Sequence, residues 1–520
     1  MLQSTNFAEL VRRHAVLGDH PALVIPTTWQ DGEVTAFESI GFADLIERID
    51  RFAAGFQRAG FKPGHRVVVL TPVSVDLYAL VLGAFTAGLA VVLIDTGMGF
   101  RPALKALRSA EPRAIVAVKA LLKHRWWIRQ LWGLEAFATD GAGFGYRAHT
   151  ELLADAPIAE ALPRGADDHA LITYTSGSTG APKGADRTHG LLSAQHEALR
   201  RAFPDRPDDI DMTCFPVVAL HNLCCGITTV LPPVDLADPA AAEGALVWRF
   251  AVDHSVTRLA GAPAFIERLT EAARAGAVLP ALRGVAVGGA PVDRALCHQL
   301  VTTLPQAERL IVYGSTEAEP MCHIEMSEVL EAEGDGLLVG TPVIDAEIVV
   351  VALPALPPKL SDRGMAPFAC APGASGEIVV AGAHVNAHYL NNPAADAENK
   401  LYQPDGKVWH RTGDVGHFDG QGRLWLTGRR ADLVQVNGRV IHPLAIEAKL
   451  NTVPGVRRCA LIEDRYGVRW VIEGAPEAAD PWAERLNQID PELAALEHLW
   501  QTLPMDRRHR SKIDRVALRR

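Results

Sequence analysis

Phe42, Leu45, Ile46, Ile49, Phe52, Ala53 and Phe56 recur at steps of three and four, with a single-residue step at each doubled position. That spacing gathers them on one side of a helix, so the segment predicts an amphipathic helix with one core face, closed by Gly60. Pro63-Gly64 then turns the chain into Val67-Val68-Val69-Leu70, an unbroken apolar run of the kind buried in a parallel sheet. From Tyr78 to Ile94 the chain is uncharged and mostly apolar. The stretch is a little short for a membrane span, and Gly83 and Gly88 interrupt it. It predicts a buried helix to about Ala87 and then a buried strand, Ala90 to Ile94. Ile115-Val116-Ala117-Val118 and Val285-Ala286-Val287 predict further short buried strands. Helices alternating with such strands mean α/β layers. No internal repeat is visible.

Toward the C-terminus the pattern changes. Gly376-Glu377-Ile378-Val379-Val380 and Arg423-Leu424-Trp425-Leu426 predict strands of a β-rich piece. Beyond Gly428-Arg429-Arg430-Ala431-Asp432 a compact α+β tail follows. A chain of 520 residues is too long for a single core. The expected division is a large domain over 1–429 and a small one over 430–520. The net charge of -10 gives no electrostatic footprint for nucleic acid. Seven scattered cysteines without CxxC spacing point to neither a zinc site nor a disulfide framework, and fit reduced thiols in a cytoplasm. Met1 to Asn6 has neither a basic start nor an apolar core, so it does not read as a signal peptide. The segment from Lys119 to Trp132 is basic and aromatic. It reads either as a helix with Trp packed inward and charges outward, or as a surface for a membrane or for a partner that passes on a lipid-like substrate.

The chemistry begins at Leu171-Ile172-Thr173-Tyr174-Thr175-Ser176-Gly177-Ser178-Thr179-Gly180-Ala181-Pro182-Lys183-Gly184. A β-prone stretch enters a loop dense in glycine and hydroxyls, with one lysine. Such a loop exposes backbone N–H groups and small O–H donors, which is what a polyphosphate needs. Pro182 and Gly184 flank Lys183, so the loop is not a Walker motif. The run closely resembles the phosphate loop of acyl-adenylate-forming enzymes, the group of acyl-CoA ligases, peptide-synthetase adenylation domains and luciferases.

Three more signatures carry the resemblance in order, with two further matches beside them, and it spans essentially the whole chain. Val312-Tyr313-Gly314-Ser315-Thr316-Glu317 resembles the second signature, which implies that Thr316 and Glu317 contact the α-phosphate and that Glu317 holds Mg²⁺. A hard cation takes carboxylate and phosphate oxygens, as that role requires. Trp409-His410-Arg411-Thr412-Gly413-Asp414 resembles the third, with Asp414 on the ribose hydroxyls of ATP. Arg429 matches an arginine that touches the nucleotide, and Gly288-Gly289-Ala290-Pro291 the segment along the adenine. Arg508-His509-Arg510-Ser511-Lys512-Ile513 resembles the motif of the adenylation lysine, Lys512, which would meet developing charge in the transition state. The resemblance implies two α/β subdomains plus a distorted β-barrel, followed by a small mobile C-terminal domain.

Three positions depart from the family pattern. The hinge, ordinarily Asp or Lys, falls on Ala431 with Asp432 next. Ser511 replaces a glycine. Gln435 stands where some members carry a lysine for one half-reaction. Phe215, Val218, Ala219, His221 and Asn222 lie where the family builds its acyl pocket. This stretch, the Tyr-Gly-Ser-Thr-Glu-Ala segment and the Lys512 tail look most like the olefin β-lactone synthetases, which act on long-chain 2-alkyl-3-hydroxy acids and need no CoA. A fatty acyl-CoA ligase, another acid-adenylating enzyme and a catalytically silent nucleotide-binding subunit stand as alternatives. The last would predict loss of Glu317, Asp414 or Lys512, and all three are present. No motif bears on oligomeric state.

Overall fold

The apolar face that begins at Phe42 forms helix Phe42–Arg58, and all seven of its patterned positions are buried. Its neighbour is helix Val75–Thr86, apolar on every side because it is covered on every side. Gly83 lets the two approach: a Cβ there would lie 2.7 Å from Phe52 Cβ and 2.8 Å from the Ile49 carbonyl oxygen. The structure, a computed structural model, describes residues 6–30, 32–158, 160–175, 182–352, 356, 360–506 and 511–519.

These helices cover a seven-stranded sheet, in the order Arg147–Ala148, Glu135–Ala138, Ala114–Ala117, Arg66–Leu70, Ala90–Ile94, His169–Thr175 and Lys183–Thr188. All its pairings are parallel except the last. The run Val67-Val68-Val69 sits at its centre, buried on both faces.

A second, fourteen-stranded sheet has a parallel half and an antiparallel half. Pro21–Gln30, Thr228–Val230, Ile210–Thr213, Arg258–Gly261, Gly284–Gly288 and Glu308–Ser315 run parallel. Ala318–Glu325, Leu337–Pro342, Leu424–Arg429, Val408–Phe418, Gly376–Ala381 and Glu347–Val351 continue it antiparallel. The architecture is α/β, with large mixed sheets.

From Val434 onward the chain builds a hairpin, Val434–Val436 with Arg439–Ile441, and a three-stranded sheet, Val456–Asp464, Gly467–Gly474 and Glu497–Trp500. Its core stacks Trp470 edge-on against Trp482, both fully buried. Arg515 closes it through a 2.6 Å ion pair to the buried Glu447.

The basic aromatic segment is not one helix with inward tryptophans. Lys119–Leu122 is a single helical turn, followed by two short 3₁₀ turns. Trp126, Trp127 and Trp132 are exposed, as is Phe144 beside Trp126. The inward position is taken by Arg125, which is buried and donates to the Gly145 and Leu134 carbonyls. No helix among the described residues is long and apolar enough to cross a membrane.

Candidate active site

Three strands deliver their C-terminal ends to one region. His169–Thr175 leads into the glycine- and hydroxyl-rich loop, Gly284–Gly288 into Gly289-Ala290-Pro291, and Glu308–Ser315 into the two-residue turn Thr316-Glu317. Ligands of open α/β sheets bind at such carboxyl ends. Ser176, Gly177, Ser178, Thr179 and Gly180 lie outside the described residues. Lys183 opens the next strand, and its Nζ is 3.1 Å from Glu398.

Backbone contacts hold the segments together. Arg187 donates to the Thr316 carbonyl at 3.0 Å, and Asn386 N–H to the Glu317 carbonyl at 2.7 Å. Leu390 N–H donates to Gly184 O at 2.8 Å. The stretch 385–390 is therefore laced between the strand that starts at Lys183 and the turn that carries Glu317.

Glu317 is set by groups that motif matching did not single out. Tyr389 donates its hydroxyl to Glu317 Oε1 at 2.8 Å. Lys400, 1 % exposed, donates to Asn386 O and approaches His410 Nδ1 at 3.3 Å. Lys400 and Lys183 both lie over the Tyr389 ring, at 5.1 and 5.8 Å. Desolvation alone would raise the Glu317 carboxyl. Lys400 and the Tyr389 hydroxyl outweigh it and hold Glu317 below its ordinary range. Burial lowers Lys400 to about 8 against the pull of Glu317 and Asp396. Burial, then Lys400, keeps the His410 ring neutral, at about 3. Nothing in the sequence marks Lys400, because its burial and the pairing of strand Lys400–Tyr402 with the strand that carries the third signature arise only in the fold.

Asp414 and Arg429 face each other across paired strands, joined at 3.0 Å from Nε to Oδ1. Tyr313 donates to the other Asp414 oxygen at 2.7 Å. Burial, then Asp414, pushes the Tyr313 hydroxyl well above its usual value, so it stays a donor. This trio joins the second signature to the third.

The segment Gly288 to Pro291 is narrow by construction. A Cβ on Gly288 would stand 2.8 Å from Val312 O, and Gly289 has φ of +79°. Phe215 is the side chain nearest Gly289, its ring 3.5 Å from where a Cβ would be. Phe215 and Val218 are half-buried, whereas Ala219 and Asn222 are fully buried. His221 turns toward His196, with ring nitrogens 3.1 Å apart. Burial lowers His196 to about 4 and His221 to about 3, so both rings are neutral.

The tail meets the large sheet at Ser511, the neighbour of Lys512. Ser511 Oγ accepts from Ala264 N–H at 3.2 Å, just past the end of strand Arg258–Gly261, which pairs with Gly284–Gly288. Lys512 itself is exposed, with its backbone tied to Asp506 at 2.7 and 2.8 Å. Arg508, His509 and Arg510 lie outside the described residues.

The donor set fits a nucleotide polyphosphate and a hard divalent cation. Glu317 supplies carboxylate oxygen, Lys183 and Lys400 supply positive charge, and Ser315 Oγ is buried without a hydrogen-bond partner among the described residues.

Residues 11–390 match the model of the AMP-binding enzyme family. The chain is 32% identical to an olefin beta-lactone synthetase of Xanthomonas campestris pv. campestris, over 92% of this chain and 90% of that one. It is 31% identical, with the same coverage, to an olefin beta-lactone synthetase of Stenotrophomonas maltophilia. Among solved structures, the amide bond synthetase McbA from Marinactinospora thermotolerans superposes with a TM-score of 0.80 at 21% identity, over 99% of both chains. By this family match and these two relatives, the chain belongs to the AMP-binding enzymes, as an AMP-forming, acid-adenylating member similar to the olefin beta-lactone synthetases.

Proposed function

We propose that the protein uses ATP and Mg²⁺ to adenylate a long-chain 2-alkyl-3-hydroxy carboxylic acid, and that the acid's own β-hydroxyl then closes a β-lactone. In the first step a carboxylate oxygen attacks the α-phosphorus and pyrophosphate leaves. In the second the hydroxyl oxygen attacks the acyl carbon and loses its proton, the acyl–phosphate bond breaks, and AMP leaves. In this reading Glu317 holds the Mg²⁺, which neutralises phosphate charge when bound. Thr316 contacts the α-phosphate, and Lys183 and the loop Thr175 to Gly180 cradle the leaving pyrophosphate. Asp414 orients the ribose with Arg429 beside it, Gly288 to Pro291 flank the adenine with Tyr313, Gly314 and Ser315, and Lys512 meets the charge that develops on the reacting oxygens.

The observation that carries the first step is the Lys183–Tyr389–Glu317–Lys400 cluster beside the Asp414–Arg429 pair. Similarity over nine-tenths of the chain to proteins named olefin beta-lactone synthetase supports the second. So does Gln435, an exposed neutral amide on the hairpin, where a lysine would serve a CoA-using half-reaction. An intramolecular nucleophile can supply about 7–11 kcal/mol of the barrier through proximity. Seven free cysteines support a reducing, cytoplasmic setting. The exposed Trp126, Trp127 and Trp132 beside Lys123 and Arg129 support loose attachment to an anionic bilayer surface, where a long-chain acid resides.

The test incubates the protein with ATP, Mg²⁺ and either a long-chain β-hydroxy acid or its deoxy counterpart, with and without CoA, and identifies products by NMR and mass spectrometry. The expected result is β-lactone from the hydroxy acid without CoA, and arrest of the deoxy acid at the adenylate. CoA-dependent thioester from the deoxy acid, at a rate equal to or above that of the hydroxy acid, would overturn the lactone step and leave the adenylation intact.

A further inference from the structure

Helix His189–Ala202 and helix Pro216–Cys225 meet at a cluster that the adenylation chemistry does not use. His196 Nδ1 lies 3.1 Å from His221 Nδ1, and His221 Nε2 lies 3.5 Å from Cys225 Sγ. His221 and Cys225 are four residues apart on one helix, so their side chains share a face. His196 enters from the facing helix, and its Nε2 is buried without a hydrogen-bond partner among the described residues. One donor atom from each residue lies within 4.8 Å of the other two. We propose that His196, His221 and Cys225 form a binding site for one borderline-soft divalent cation of the zinc class.

The donor types select the ion. Two imidazoles and a thiolate suit Zn²⁺ or Co²⁺, whereas Mg²⁺ takes oxygen and is left to Glu317. Tetrahedral Zn–N and Zn–S bonds of about 2.0–2.3 Å need donor separations of roughly 3.3–3.6 Å. The 3.1 and 3.5 Å contacts are already near that size. They use different His221 nitrogens, so the cation binds after a turn of that ring brings one nitrogen toward both partners. The Cys225 thiol proton is released on binding, and the metal–sulfur bond takes its place. Cys225 is half-buried and gives the ion an entrance, while the two histidines are nearly covered. The fourth position is open to water or to Asp205, whose carboxylate faces the Cys225 thiol and also pairs with Arg258 at 2.7 Å. Occupancy would clamp the C-terminal end of the helix whose N-terminal neighbour, Phe215, touches the adenine segment. Cysteine spacing gave no hint of this site because its ligands come from two separate helices.

The experiment uses full-length, tag-free protein, stripped with chelator and titrated with Zn²⁺ alone against a colorimetric zinc indicator, and in parallel with Co²⁺. Wild type should bind one Zn²⁺, and its Co²⁺ form should show thiolate-to-metal charge-transfer absorption in the near ultraviolet. Cys225→Ser should lose that absorption and bind Zn²⁺ at least about tenfold more weakly, with an unchanged circular dichroism spectrum. Cys370→Ser, which removes the other half-buried thiol, should leave both readouts as in wild type. A charge-transfer band that survives Cys225→Ser, or zinc binding equal in wild type, Cys225→Ser and His221→Gln, would overturn the site.

Discussion

At the scale of single residues the site is a balance of charge around Glu317. Its carboxylate stays ionised because Lys400 and the Tyr389 hydroxyl outweigh the cost of desolvation. Neither Tyr389 nor Lys400 belongs to a motif with an assigned role, since their chemistry comes from burial and a strand pairing that only the fold creates. Lys400 gives a pH test. Its ordinary value of 10.5 applies to the unfolded chain, and burial lowers it to about 8 in the fold. Between those values the unfolded state binds more protons, so this group adds stability as pH rises from 8 to 10.5 and withdraws it as pH falls back through 8. Urea unfolding of wild type and Lys400→Met across that window should show the wild type gaining on the variant as pH increases. Parallel stability curves would remove Lys400 from the account. Asp414→Ala addresses the proposed ribose contact. A ribose contact is made in both ground and transition states, so the variant should raise KM for ATP by roughly 10–100-fold with kcat little changed. A normal KM in pyrophosphate-exchange kinetics would contradict the role.

At the scale of elements, legibility followed the surroundings of each segment. Helix Phe42–Arg58 and strand Arg66–Leu70 were readable because one face, or both, meets a core, and the apolar period records it. The segment 119–132 misled because its aromatic residues do not follow burial: Arg125 fills the inner position and satisfies backbone carbonyls while the indoles face outward. Tryptophan at an aqueous surface beside Lys123 and Arg129 fits the interface of an anionic membrane. Sedimentation with vesicles containing phosphatidylserine should retain the wild type, and retain the Trp127→Ser/Trp132→Ser variant several-fold less. Equal sedimentation of the two, or binding indifferent to the anionic lipid, would rule the surface out. Both side chains are exposed, so the variant should keep wild-type thermal stability.

At the scale of the whole molecule, the interest lies in how the tail meets the large sheet. The motif resemblance identified Lys512 but treated Ser511 as a departure. The structure gives Ser511 a bond that glycine cannot make, to Ala264 N–H at the head of helix Pro263–Arg274. Such a bond contributes about 1 kcal/mol, and it favours the arrangement in which the Lys512 segment lies against the C-terminal end of strand Arg258–Gly261. A thioester-forming enzyme has to bring in a second substrate after adenylation, whereas ring closure by a tethered hydroxyl asks for no new partner. The proposed reaction therefore makes different demands on Lys512 in its two halves. Lys512→Ala should slow formation of the acyl-adenylate by about 10²–10³, the scale expected for one lost donor to transition-state charge. Supplied with preformed β-hydroxyacyl-adenylate, the same variant should release β-lactone and AMP at close to the wild-type rate, because the nucleophile and the leaving group are already joined. Measuring both halves separates the roles: a variant equally slow in both would tie Lys512 to ring closure as well, and one with normal adenylation would remove it from the site.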